Sequence, residues 1–176
     1  MSILKIARLG HPILYQKAAL IEDITQPVVK KLVQDMTETM LDAKGIGLAA
    51  PQVHVSKQII IFREQEDKDT ENKEIKIVAI INPKIYKISD DTDNQWEGCL
   101  SIPGMLGLVK RYTSISYKGF DVNGNIIQQN VNGLCARIIQ HEYDHLMGIV
   151  YTDRLVNKKA YGYEDEIEEY WKKNYE

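Results

Sequence analysis

The residues most able to do chemistry lie in the stretch Gln140-His141-Glu142-Tyr143-Asp144-His145-Leu146-Met147-Gly148. It contains His-Glu-x-x-His. On an α-helix, positions four apart share one face about a turn from each other, so His141 and His145 can hold a single metal ion. Glu142 then stands beside the ligands as a general base or acid. A catalytic metal usually has three protein ligands and an open position, so a third ligand must come from elsewhere. The candidates are Cys99, Cys135, His11 and His54. Cys135 lies six residues before His141 on the same expected helix, about 9 Å away along its axis, and cannot converge with both histidines. It reads as a small buried hydrophobe. Cys99 lies in Gly98-Cys99-Leu100-Ser101, outside any expected helix, and is free to approach from the side. A thiolate with two imidazoles suits Zn²⁺ or Fe²⁺ and leaves a place for water. Position favours Cys99, and His11 and His54 stay open as alternatives.

A second stretch, Gly45-Ile46-Gly47-Leu48-Ala49-Ala50-Pro51-Gln52, is uncharged and carries two glycines. Such a segment lets backbone approach another group closely. It lacks the Lys-Ser/Thr ending of a phosphate loop. A tight turn against the core fits it equally well.

These groups need a frame. The run Leu134-Cys135-Ala136-Arg137-Ile138-Ile139-Gln140 has helical apolar spacing, so the motif helix is expected from about Asn132, with Gly148 as its left-handed C′ residue. An irregular, extended lead-in occupies residues 3–20, with His11-Pro12 inside it. Val29, Leu32, Val33, Met36 and Met40 recur at helical spacing after Thr25, a candidate cap, and Gly45 is the expected stop. Strands are expected at 57–63, 74–81, 84–89, 112–120 and 126–131, with Asn82-Pro83 ending the second and Asp121–Asn125 as a turn. Residues 64–73 and 90–95 read as polar loops. A C-terminal amphipathic helix over 163–174 carries Ile167, Tyr170 and Trp171 toward the sheet. Glu97 and Arg111 can pair to stiffen the Cys99 loop, or stand as independent surface charges.

Composition narrows the class. A chain of 176 residues supports one domain spanning 1–176 with a sizeable core. A net charge of −3 advertises no specific DNA binding. The longest apolar runs are too short to span a bilayer, and the first residues lack a secretory pattern. Two cysteines make no disulfide framework, and a reducing cytoplasm is expected.

Taken in order, Gly45-Ile46-Gly47-Leu48-Ala49-Ala50-Pro51-Gln52, Glu97-Gly98-Cys99-Leu100-Ser101 and Gln140-His141-Glu142-Tyr143-Asp144-His145 resemble the three motifs of peptide deformylase. The likeness runs over nearly the whole chain, and Ile102-Pro103-Gly104 looks like the bacterial type 1 branch. The resemblance implies an α+β fold, with antiparallel β-sheets packed around the central motif helix and further helices at the N- and C-terminal ends. It implies one divalent metal ion, natively Fe²⁺, with Zn²⁺, Ni²⁺ or Co²⁺ able to substitute. The ligands would be Cys99, His141 and His145, with Glu142 as the proton shuttle in hydrolysis of formyl from the N-terminal formyl-methionine of new polypeptides. Gln52 and the Leu100 backbone N–H would hold the formyl oxygen, and Gly47 would contact substrate backbone. Ile46, Leu134 and Ile138 are candidates for the methionine pocket, and each could equally be core. A monomer acting on nascent chains, with the ribosome near its exit tunnel as a partner, follows from the same likeness. The chain departs from it at Lys44, where many members are acidic, and at Gly104-Met105-Leu106-Gly107, where some carry an arginine. A general His-Glu-x-x-His peptidase and an inactive metal-holding module are the competing readings. The Gly-Cys-Leu-Ser segment counts against the first, and Glu142 with Gln52 against the second.

Overall fold

The computed structural model describes residues 2–64 and 76–172. Its helices are α1 (Pro27–Asp42), α2 (Gly133–Leu146) and α3 (Glu164–Tyr170). Its strands are β1 (Gly47–Ala49), β2 (Ile59–Arg63), β3 (Ile77–Lys87), β4 (Thr92–Cys99), β5 (Ile102–Tyr112), β6 (Ser114–Phe120), β7 (Ile126–Asn132) and β8 (Tyr161–Tyr163). One antiparallel sheet runs β1-β2-β3-β6-β7 and a second runs β4-β5-β8. This is the expected α+β arrangement about the motif helix. No helix among the described residues is long and apolar enough to cross a membrane.

The run Ile59-Ile60-Ile61-Phe62 in β2 explains how the five-stranded sheet is held. Alternate side chains on a strand leave opposite faces. Ile59 and Ile61 pack with Met36 and Met40 of α1, while Ile60 and Phe62 pack with Ile139 and Leu146 of α2. Both faces are covered, so the strand is apolar throughout. Each fully buried side chain of this size contributes about 1.5–3 kcal/mol, against about 1 kcal/mol for a hydrogen bond. Packing therefore fixes where α2 lies on the sheet.

Several local expectations give way. Thr25 does not cap α1; its hydroxyl donates to Asp23 Oδ1 at 2.7 Å, and Gln26 is the cap residue, with no capping side-chain hydrogen bond. Helix α1 stops at Asp42, ahead of the expected stop at Gly45. Lys44 takes the left-handed conformation at φ 54°, with Lys44 N–H to Leu41 O at 3.0 Å and Gly45 N–H to Met40 O at 2.8 Å. Asn82-Pro83 does not end a strand: β3 continues through it with a register shift. Asn82 sits at φ 51° and is held by two 2.9 Å hydrogen bonds to the Ile21 backbone. Most of the segment 90–95 belongs to β4, paired residue by residue with β5. The segment 104–107, for which no strand is expected, lies within β5. The C-terminal helix starts at Glu164, one residue later than expected, because Tyr161–Tyr163 adds to β5 as β8; it runs to Tyr170, and residues 173–174 of the expected span lie outside the described residues. Ile167 is buried and packs toward Gly162, as expected, whereas Tyr170 is exposed. The expected loop over 64–73 lies, apart from Glu64, outside the described residues.

Candidate metal centre

α2 delivers the two histidines. Its C-terminus closes with Gly148 at φ 74°, Gly148 N–H to His145 O at 3.3 Å and Ile149 N–H to Asp144 O at 2.9 Å. This is the left-handed ending read from the sequence. A Cβ on Gly148 would stand 2.8 Å from the Tyr15 carbonyl carbon, so the lead-in lies directly on the helix end. His141 and His145 are buried, with ring centroids 5.1 Å apart.

Cys99 ends β4, opposite Ile102 of β5. Its Sγ lies 3.3 Å from His145 Nε2, and the candidate ligand atoms of Cys99, His141 and His145 all fall within 4.8 Å of one another. A thiolate and two imidazoles converging in a buried place are a donor set suited to Zn²⁺ or Fe²⁺, so the residues fit such an ion. Cys135 packs instead into the core between α2 and the sheet. His11 and His54 meet each other elsewhere, ring centroids 4.7 Å apart. Of the four candidate third ligands, Cys99 is the one whose ligand atom meets both histidines among the described residues.

The surroundings orient these groups. The Ser101 backbone N–H and the Gln52 side-chain amide each donate to Cys99 Sγ at 3.4 Å. Gln52 Oε1 accepts the Ala49 N–H at 2.8 Å, which turns the donor end of the amide toward the thiol and toward Ser101 Oγ at 3.2 Å. On the far side of His141, Nδ1 meets Glu97 Oε2 at 2.9 Å. A carboxylate in that position fixes the tautomer and ring plane of a ligating histidine. Glu97 also accepts two 3.0 Å bonds from Arg111 and one of 2.6 Å from Arg137. Burial pushes the Glu97 carboxyl up, but the His141 hydrogen bond and the Arg111 guanidinium outweigh it and hold it well below the usual carboxylate range.

The Glu97–Arg111 pair was legible as one of two readings; the bond to His141, and as supports Ser101, Arg137 and Asp144, whose carboxylate accepts from Arg111, were not. Their signal in the sequence is weak: charged residues placed where the neighbouring pattern is buried.

Glu142 lies beside the ligands, and its Oε2 is buried with no hydrogen-bond partner among the described residues. Burial raises its carboxyl to about 7. Gly47 of β1 lies against it: a Cβ there would sit 2.4 Å from Glu142 Oε1. The glycine-rich loop does approach something closely, and that something is the carboxylate. A cleft of about 580 Å³ opens over the site. Ile46, Gly47, Gln52, Leu100, Leu134 and Ile138 line it with Cys99 and His141, Ile138 buried and Ile46 and Leu134 exposed.

The family model described as polypeptide deformylase matches residues 3–161. Peptide deformylase 1 of Nitrosomonas europaea is 40% identical over 92% of this chain and 93% of its own. Among solved structures, a peptide deformylase from Ehrlichia chaffeensis superposes with TM-score 0.81 at 36% identity, covering 90% of this chain and 91% of that one. The Met-Ala-Ser-bound class I type b peptide deformylase from Acinetobacter baumannii gives TM-score 0.80 at 34% identity, over 88% and 99% of the two chains.

Proposed function

Since the chain belongs to the polypeptide deformylase family, we propose how its own residues divide the work. The enzyme is a metal-dependent hydrolase that removes formyl from the N-terminal formyl-methionine of newly synthesised polypeptides. Cys99, His141 and His145 hold the ion. The observation that carries this assignment is the convergence of their three ligand atoms within 4.8 Å. Fe²⁺ is the native ion in this reading, with Zn²⁺, Ni²⁺ or Co²⁺ able to replace it. When bound, the ion polarises the formyl carbonyl and lowers the pKa of the attacking water.

The protein groups do the rest. Glu142, raised to about 7 by burial, is poised to take a proton from the attacking water and give it to the departing amine. The Gln52 amide, its donor end already fixed, and the Leu100 backbone N–H supply hydrogen bonds to the developing oxyanion. β1 and β4 are edge strands of their two sheets, and an extended peptide can lie along them as added strand. Gly47 then contacts substrate backbone, and Ile46, Leu134 and Ile138 receive the methionine side chain. The Met-Ala-Ser peptide bound to the Acinetobacter enzyme supports such a substrate here. In this reading, residues 1–176 form a single catalytic domain. It works as a cytoplasmic monomer on nascent chains near the ribosomal exit tunnel.

The test is formate release from formyl-Met-Ala-Ser by metal-loaded enzyme, with casein as the competing substrate. Formate from the peptide and no casein cleavage are expected. Casein cleavage without formate release would favour a peptidase and overturn the assignment.

A further inference from the structure

Two charged side chains in the cleft wall, Lys44 and Glu164, are exposed and make no hydrogen bond or ion pair among the described residues. The other charges lining it are committed: Glu97 and Arg137 bind each other at 2.6 Å, and Glu142 lies against Gly47. Lys44 belongs to the wall of the five-stranded sheet. Its left-handed backbone, pinned by the hydrogen bonds that close α1, carries it just ahead of β1. Glu164 belongs to the wall of the other sheet. It follows Tyr163, the β8 residue paired with Met105. The Met105 carbonyl lies 3.6 Å from where a Gly98 Cβ would stand, one residue from Cys99.

Distance along the chain decides which part of a substrate these charges meet. Lys44 is three residues before Gly47, whose backbone abuts Glu142. At about 3.3 Å per extended residue, that separation is at most about 10 Å, and less with Lys44 left-handed. A peptide with its formyl group at Cys99, His141 and His145 covers the same distance with its first three residues. Methionine occupies the apolar pocket, and the second and third side chains lie between two walls of opposite sign.

Resting on the deformylase reading, we propose that Lys44 and Glu164 are specificity residues that sort substrates by the charge of the second and third side chains. Lys44 favours an acidic side chain and disfavours a basic one; Glu164 does the reverse. Neither touches the reacting atoms, so the sorting acts through KM.

The experiment compares kcat/KM for formyl-Met-Asp-Ala-amide, formyl-Met-Lys-Ala-amide and the two peptides with Asp or Lys third. Amidation removes the terminal carboxylate, which would mimic an acidic side chain. Metal-loaded wild type, K44E and E164K are assayed at low salt. The lysine-to-aspartate ratio should rise roughly fivefold in K44E and fall by a similar factor in E164K, at one position or both, as expected for solvent-exposed charge pairs. The shifts should lie in KM and shrink at high salt. A ratio tolerates a general loss of activity, and K44Q and E164Q give smaller shifts of the same sign should a reversal variant fail to fold. An unchanged ratio in K44E and K44Q overturns the role of Lys44, and in E164K and E164Q that of Glu164. Wild type that deformylates these peptides while no variant moves the ratio overturns this inference alone. Folded, metal-loaded wild type that releases formate from none of them overturns the deformylase reading and the inference with it.

Discussion

Cys99 and Cys135 are both half-buried thiols, yet their surroundings assign them different work. Cys99 Sγ lies 3.3 Å from His145 Nε2 and accepts hydrogen bonds from Gln52 and Ser101. Cys135 packs in the core, where burial pushes its thiol up. Cys99→Ser is therefore expected to lose most bound metal and all useful turnover, and Cys135→Ser to keep near-normal metal content. Metal per folded chain measures both; a full, tight complement in Cys99→Ser would refute the ligand set. Glu142 separates binding from chemistry in the same way. Its carboxylate is adjacent to the ligands and outside their group. Glu142→Gln should hold metal like wild type and lose turnover by at least a hundredfold, within the range usual for a general base. Loss of metal in that variant would count against its assigned role.

At the scale of elements, the segment from Gly45 to Gln52 decides how tightly the site closes. Gly47 leaves no room for a side chain, since its Cβ would meet Glu142 Oε1 at 2.4 Å and Ile138 Cγ2 at 2.9 Å. Gly47→Ala must move the carboxylate that shuttles the proton. A shift of about 1 Å in a reacting group costs roughly a hundredfold in rate, so kcat should fall by about that factor with metal content retained. Near-wild-type kcat would show that Glu142 has slack. The same closeness should exclude an added methyl on the reacting carbonyl, so formyl-Met peptides are expected to be hydrolysed far faster than acetyl-Met peptides. Comparable rates on the two would contradict that reading. This element was legible because its glycines and lack of charge are local signals, as were the His-Glu-x-x-His spacing and the Gly148 helix end. What escaped the sequence was set by distant partners. The run Asp93-Asn94-Gln95 has low strand propensity, and it is strand because β5 pairs with it and Arg137 holds the Asp93 carbonyl at 3.1 Å. Asn82 looks like a breaker, and the Ile21 backbone, 61 residues away, together with Gln58 O, which accepts the Asn82 N–H at 2.9 Å, holds it within β3. Thr25 had a good cap sequence, but Asp23 took its hydroxyl first.

Across the whole molecule, one buried ionic cluster ties the metal helix to the three-stranded sheet. Arg111 of β5 donates two hydrogen bonds to Glu97 of β4 and another to Asp144 of α2, and Arg154 grips Asp144 from outside at 2.5 and 2.6 Å. Glu97 in turn holds His141. Apolar packing places α2 on the five-stranded sheet, as the β2 run shows, but Cys99 comes from the other sheet. The three ligands therefore converge only if the two sheets keep their distance across α2, and Arg111, 4% exposed, sits at that junction. Removing it leaves two buried carboxylates short of charge. Breaking a buried ion pair from one side costs about 3–5 kcal/mol. In a chain of this size each kcal/mol lowers Tm by about 2–4 °C. Arg111→Met, close in volume and uncharged, should thus melt roughly 6–20 °C below wild type. It should also bind metal more weakly, by about ten- to a hundredfold, because the carboxylate that orients His141 loses its own anchor. The exposed pair Lys172–Glu168 is the control, since Lys172→Ala removes a contact worth only about 0.3–0.5 kcal/mol. Thermal melts with and without metal, together with a metal titration, check both halves. If Arg111→Met melts within a degree or two of the Lys172→Ala control and binds metal as wild type does, the cluster is not what keeps Cys99 beside the histidines, and apolar packing of β5 on α2 must suffice.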